Sequence, residues 1–326
     1  MNHNFSMMDE EDGLSYGSWQ PERRHRKQQP NRKARRQEKP VLEEIAEVRD
    51  MEGGLRITYQ PARFEEGWLE SALKPFFDLT FITDVLARVK GGKEASVYRC
   101  LAHETVSQPW LAAKVYRPRM FRNLRRDHLY REGRDLIDQD GKAIRGNDTR
   151  VQRAVHRNSA FGQQVRHTSW LSYEYRLLQQ LHNAGADVPQ PVAMGENALL
   201  LSFVGDEYRA APTLSEVSLD ADEARYLYDR VLENLELMLK HDIVHGDLSA
   251  YNILYWQGEI VIIDFPQAVN PHDNRNARGF FERDVERVCE YFQKQGLRCD
   301  GRAVARKLWR RYYDDSAPID YDLRNE

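Results

Sequence analysis

The sequence predicts an α+β fold, strand-rich in its first part and helical in its second. Three observations carry this reading. Apolar runs of strand length gather in the first two thirds of the 326-residue chain, at Val85–Val89, Ser96–Cys100, Leu111–Tyr116 and Leu199–Val204. A long helical stripe follows at Asp220–His241, with Leu227, Val231, Leu235 and Leu239 on one face. That helix leads to the polar stretch His245-Gly246-Asp247-Leu248-Ser249-Ala250-Tyr251-Asn252 and a strand pair around Ile253–Leu254 and Ile260–Ile263, after which only 62 residues remain beyond Asp264.

Taken in order, residues 1–40 are acidic at Asp9–Asp12 and then basic, with Arg23, Arg24, Arg26, Lys27, Arg32, Lys33, Arg35, Arg36 and Lys39 among almost no apolar residues. Such a segment cannot bury a core and is expected to be a disordered tail. It suits RNA or ribosome contact, or simple solubility, equally well. Residues 41–78 form a helical extension, with helices expected at Val41–Val48 and Gly67–Phe77. Residues 79–205 read as strands with one helix, Ser169–Leu181, whose Trp170, Leu171, Leu177, Leu178 and Leu181 form a stripe stopped by Gly185. Within this span, the long segment 117–168, bearing Arg122, Arg125, Arg126, Arg131 and Arg134, is by its length either functional or disordered. Residues 206–326 read as mostly helical around the strand pair.

Cys100, Cys289 and Cys299 are scattered and odd in number, with no secretory signature, which points to a reducing, cytoplasmic setting without disulfides. No CxxC pair or His cluster suggests zinc, and no apolar run reaches membrane-span length. The net charge of −3 gives no global pull toward nucleic acid.

The chemistry lies in spacing. Asp247 and Asn252 sit five positions apart, and Asp264 ends an apolar strand shortly beyond. Phosphoryl transfer needs those parts: a carboxylate to orient a hydroxyl, and an Asn and an Asp to hold Mg²⁺ on phosphates. Upstream, Lys114 sits on a short apolar strand, Glu174 lies on the helix that could fix it, and Gly91-Gly92 forms a turn that lets backbone N–H groups approach phosphate. Singly, each has a plain structural reading: a surface turn, a snorkelling Lys, a solvated Glu, a Gly-Gly hairpin. Their order along the chain is what points to a kinase.

With these residues in view, the sequence resembles the RIO family of atypical protein kinases. Gly92-Lys93-Glu94-Ala95-Ser96-Val97-Tyr98 is similar to that family's phosphate-loop signature, and His245 to Asn252 to its catalytic loop. Ile263-Asp264-Phe265-Pro266-Gln267 resembles its metal-binding loop, and Phe281-Glu282-Arg283-Asp284-Val285 through Tyr291-Phe292 its C-terminal helix. The likeness runs from about Leu79 to Gln295.

The resemblance implies a bilobal protein-kinase-like fold, with an N-lobe at 79–205 of mostly antiparallel sheet, a flexible insertion at 117–168 within it, and a reduced C-lobe at 206–326. ATP would lie between the lobes, with adenine on the backbone of Ser202 and Val204 and phosphates under Lys93, Glu94 and Ser96. Lys114, held by Glu174, would meet the phosphates. Asn252 and Asp264 would hold Mg²⁺, with Mn²⁺ as a substitute, and Asp247 would orient the acceptor.

Gly246 stands where ordinary kinases carry Arg, which argues against a phosphorylated activation-loop switch. No APE-like motif follows Asp264. The short N-terminal region combined with Asp-Phe-Pro-Gln suggests a divergent, prokaryotic lineage. Function is expected to be a RIO-type Ser/Thr protein kinase with autophosphorylation or ATPase activity, acting on a protein substrate that the sequence does not name. Two alternatives stand beside it: an ATP-gated ribosomal RNA assembly factor, and a small-molecule kinase of the aminoglycoside/choline type.

Overall fold

The computed structural model describes residues 49–50, 56–92, 94–117, 136–137, 144, 149–157 and 159–314, all within the unit Ala46–Glu326. The tail of residues 1–40, the helix expected at Val41–Val48, Lys93 and the five arginines of the insertion lie outside the described residues.

Two short paired strands, β1 (Arg49–Asp50) and β2 (Arg56–Ile57), lead into helix α1 (Arg63–Asp78). A five-stranded antiparallel sheet follows, built from β3 (Ile82–Gly91), β4 (Ala95–Ala102), β5 (Trp110–Tyr116), β6 (Pro191–Met194) and β7 (Ala198–Ser202) in the order β3-β4-β5-β7-β6. Strand side chains alternate between faces. Tyr98, Cys100, Leu111, Ala113, Val115, Ala198 and Leu200 therefore share one face and pack with Leu69, Ala72, Leu73 and Phe76 of α1. Those α1 positions recur at the spacing of a single helical stripe. The alternate positions, Val97, Ala112 and Lys114, are left for the opposite face.

A buried carboxylate pins α1 to this sheet. Glu65, in the first turn, is 2% exposed. It accepts hydrogen bonds from the Tyr98 hydroxyl, from Tyr59 Oη at 3.2 Å and from the Ala62 N–H at 3.4 Å, with Arg88 Nη1 at 3.5 Å. Burial, helped by the Glu65 carboxylate, pushes the Tyr98 phenol far above its ordinary value. Glu65→Ala would leave that hydroxyl buried without its acceptor. The expected cost is about 2–3 kcal/mol, read as a lower urea midpoint with an unchanged slope.

The first lobe holds more helix than the sequence reading allowed. Helix α2 (Thr149–His156) and the first third of α3 (Ala160–Asn183) occupy part of the segment expected to be a flexible insertion. The local cause is a cap: Ser159 Oγ accepts the Gly162 N–H at 3.1 Å, starting α3 more than two turns before Ser169. Glycine at 162 is required, since a Cβ there would lie 2.1 Å from the Ala154 carbonyl oxygen of α2.

The second lobe is helical around a small hairpin. Helix α4 (Ala221–Lys240) is capped by Asp220, whose carboxylate accepts the Glu223 N–H at 2.9 Å. It buries Leu227, Val231, Leu235 and Leu239, the stripe read from the sequence. The hairpin β8 (Ile253–Trp256) and β9 (Glu259–Ile262) pairs Ile253 with Ile262. Helices α5 (Ala277–Lys294) and α6 (Gly301–Tyr313) close the lobe. No helix among the described residues is long and apolar enough to cross a membrane.

Candidate active site

A cavity of about 950 Å³ lies between the free face of the sheet and the second lobe. Its walls include Val97, Ala112 and Leu201 from the sheet, Leu254 from the hairpin and Ile263 just after it. The segment Ser202–Val204 forms one end. There the Val204 carbonyl accepts the Ala211 N–H at 2.9 Å, while the Val204 N–H takes no partner among the described residues.

Strand parity places Lys114 in this cavity. Its Nζ lies 2.6 Å from Glu174 Oε1 and 2.8 Å from Asp264 Oδ1. Burial opposes charge on this ammonium, yet the two carboxylates outweigh it and hold the pKa well above its ordinary value. Desolvation likewise opposes ionisation of Asp264, and the Lys114 cation outweighs it, so that carboxyl sits below the usual range. Glu174 is 1% exposed on α3. Its second carboxylate oxygen accepts the hydroxyl of Tyr116, whose ring packs edge-on against Trp170 at 4.7 Å. Burial next to Glu174 pushes the Tyr116 phenol well above its ordinary value, so it stays a neutral donor.

The polar stretch after α4 is held at His245, Gly246, Asp247 and Asn252. His245 is 1% exposed, lies 4.6 Å from the Phe265 ring, and bonds through Nε2 to the Ile263 carbonyl at 3.1 Å. Its Nδ1 accepts the Asp247 N–H at 3.3 Å, so Nε2 carries the proton. Burial lowers its pKa and keeps it neutral. Gly246 has φ 81°, a conformation that favours glycine. Its N–H donates to Asp284 Oδ2 at 2.7 Å and its carbonyl accepts from Arg283. Burial pushes the Asp284 carboxyl up to about 7. Asp247 Oδ1 lies 2.9 Å from Arg287 Nη1. Asn252 Nδ2 donates to the Asp247 carbonyl at 2.9 Å, which leaves Asn252 Oδ1 as an oxygen donor.

Of the residues picked out in the sequence, Lys114, Glu174, Glu94, Ser202, Val204, Asn252 and Asp264 line the one cavity, and Asp247 is tied to it through Asn252. Ser96 does not join them. It shares the parity of Tyr98 and Cys100, is 1% exposed, and so turns away from the cavity, which corrects its assignment to phosphate contact. Its neighbour Ala95 closes the turn instead: the Gly92 N–H donates to the Ala95 carbonyl at 2.8 Å, and a Cβ on Gly92 would lie 2.8 Å from that oxygen. Lys93 lies outside the described residues. The sequence reading missed Tyr116, His245, Arg283, Asp284 and Arg287 as supports of the site. Tyr116 follows Lys114 by two positions on the same strand face, a signal that was present.

An antiparallel sheet whose Lys114 pairs with Glu174 of α3, joined through a short Ser202–Val204 connection to a helical lobe bearing the Asp247–Asn252 loop and Asp264, is a protein-kinase-like α+β scaffold. The RIO domain family model matches residues 129–304, more than half of the chain. The chain belongs to the RIO family. It is 34% identical over 215 residues to the RIO-type serine/threonine-protein kinase Rio1 of Haloferax volcanii, covering 65% of this chain and 64% of that one. It is 37% identical over 131 residues to the protein of the same name from Thermoplasma acidophilum, covering 40% of this chain and 67% of that one. With the serine/threonine-protein kinase RIO1 of Homo sapiens it shares 29% identity over 217 residues, covering 66% of this chain and 34% of that one. The chain thus spans less than two thirds of the Haloferax protein and a third of the human one. The family match weighs against the aminoglycoside/choline-type alternative.

Proposed function

We propose that this chain is a RIO-type Ser/Thr protein kinase that transfers the γ-phosphoryl group of ATP to a protein hydroxyl, with autophosphorylation and ATP hydrolysis as outputs of the same site. The observation that carries the reading is the convergence of Lys114, Glu174, Asn252 and Asp264 on one cavity large enough for a nucleotide. Adenine pairs with the backbone at Ser202 and Val204, where the Val204 N–H has no partner among the described residues. Lys114, oriented by Glu174 and Tyr116, meets the phosphates, and the loop bearing Gly91, Gly92 and Glu94 covers them.

A divalent metal fits the donors. Asn252 Oδ1 and the Asp264 carboxylate are hard oxygen ligands, and Asp264 is about half exposed toward the cavity. We assign them to Mg²⁺, with Mn²⁺ as a substitute; the ion supplies charge neutralisation on the phosphates. Asp247 orients the acceptor hydroxyl and takes its proton as the new O–P bond forms and ADP leaves. Catalysis is mainly positioning and charge stabilisation.

Incubation with γ-labelled ATP and Mg²⁺ tests this: label is expected on protein, with some free phosphate. ATP and Mg²⁺ should also raise the melting temperature by mass action, and Lys114→Ala should shrink that shift. A wild-type melting curve that saturating nucleotide does not move would overturn the reading.

The basic run from Arg23 to Lys39 supports an RNA contact by a cytoplasmic enzyme. Removing residues 1–40 is then expected to weaken RNA binding and flatten its salt dependence while ATP turnover persists. Equal affinity and slope in the truncated protein would assign the run to solubility.

A further inference from the structure

Helix α5 lays three side chains on the loop that carries Asp247. Arg283 and Asp284 grip the carbonyl and the N–H of Gly246, and so fix backbone. Arg287, one turn beyond Arg283, does something else: its Nη1 lies 2.9 Å from Asp247 Oδ1. Among the described residues it is the one polar partner of that carboxylate.

Holding α5 to the loop does not account for this contact. The Gly246 bonds already do that, together with the buried Phe281 and Val285. Arg287 and Asp247 are 40% and 38% exposed, and pairs so open to water add little to stability. The contact stands where an acceptor hydroxyl must arrive. It also uses one edge of the guanidinium only. Nε and Nη2 have no partner among the described residues, and that edge of the planar fork matches a second carboxylate.

Building on the phosphoryl-transfer reading, we propose that Arg287 is a specificity-determining residue that binds a carboxylate beside the acceptor hydroxyl, so that the preferred acceptor is a Ser or Thr within an acidic peptide segment. One face of the guanidinium keeps Asp247 in place while the other receives the acidic side chain. Arg283, 35% exposed on the same side of α5, adds to the repulsion of basic flanks.

The test uses the full chain with ATP and Mg²⁺ and three peptides that share one Ser and differ only in flanks of Asp/Glu, Ala or Lys. Wild type is expected to show kcat/KM about tenfold higher for the acidic than for the Ala peptide, mostly through KM, as one charge-assisted contact provides. Arg287→Ala should bring the acidic-to-Ala ratio near one, and Arg287→Lys should restore part of it. A purely structural role would lower all three peptides alike and leave the ratio unchanged. An unchanged ratio in Arg287→Ala overturns the proposal, as does the lack of acidic preference, or of any peptide labelling, in a wild type whose melting temperature still rises with nucleotide. A wild type that shows no such rise fails at the phosphoryl-transfer reading instead.

Discussion

Asp247→Asn is expected to lower turnover by roughly 10²–10⁴-fold, the loss typical of a general base, while nucleotide affinity stays nearly unchanged. The amide keeps the size of the side chain but cannot accept the hydroxyl proton. The surrounding geometry should survive the change. The loop backbone is fixed by the Asn252–Asp247 carbonyl bond, by His245 Nδ1 and by the Asp284–Gly246 bond, none of which involves the Asp247 carboxylate. The paired measurement is steady-state turnover and nucleotide affinity on the same preparation. Wild-type turnover in the variant would show that Asp247 is not the acceptor's partner.

Asp264→Asn should fail differently, losing turnover and also Mg²⁺-dependent affinity for ATP. A neutral amide is a poorer ligand for a hard cation than a carboxylate. Backbone strain does not confuse this comparison. Asp264 sits at φ 74°, where Asn is among the better-tolerated residues. Lys114 keeps Glu174 at 2.6 Å, so its position should hold. A titration of Mg²⁺ against ATP affinity is expected to shift to higher metal concentration. A normal metal dependence together with a normal rate would remove Asp264 from the metal site.

Much of this arrangement was legible in the chain because it depends on local spacing. The α4 stripe, the β8–β9 hairpin and the Asp247–Asn252 interval are all short-range patterns, and strand parity alone puts Lys114 opposite the α1 core. Parity could also have excluded Ser96, which alternates in step with Tyr98 and Cys100. The start of α3 was missed because the family resemblance set an expectation of a flexible insertion up to residue 168, and the Ser159 cap within it was not weighed. The supports contributed by α5 were missed for a different reason. Arg283, Asp284 and Arg287 lie about forty residues from the loop they hold, and helical periodicity shows that they share a side without showing what that side meets.

The contact between Lys114 and Asp264 carries one more consequence. Each is the other's counter-ion, so an incoming phosphate competes for the ammonium and an incoming metal competes for the carboxylate. A phosphate arriving alone draws the ammonium from Asp264, and a metal arriving alone leaves Lys114 with Glu174 only; the two together compensate both charges. Binding of nucleotide and of metal should therefore be thermodynamically linked, each strengthening the other by the same factor, because linkage between two equilibria is reciprocal. The short ion pair thus makes the site respond to the joint presence of two ligands rather than to the concentration of either.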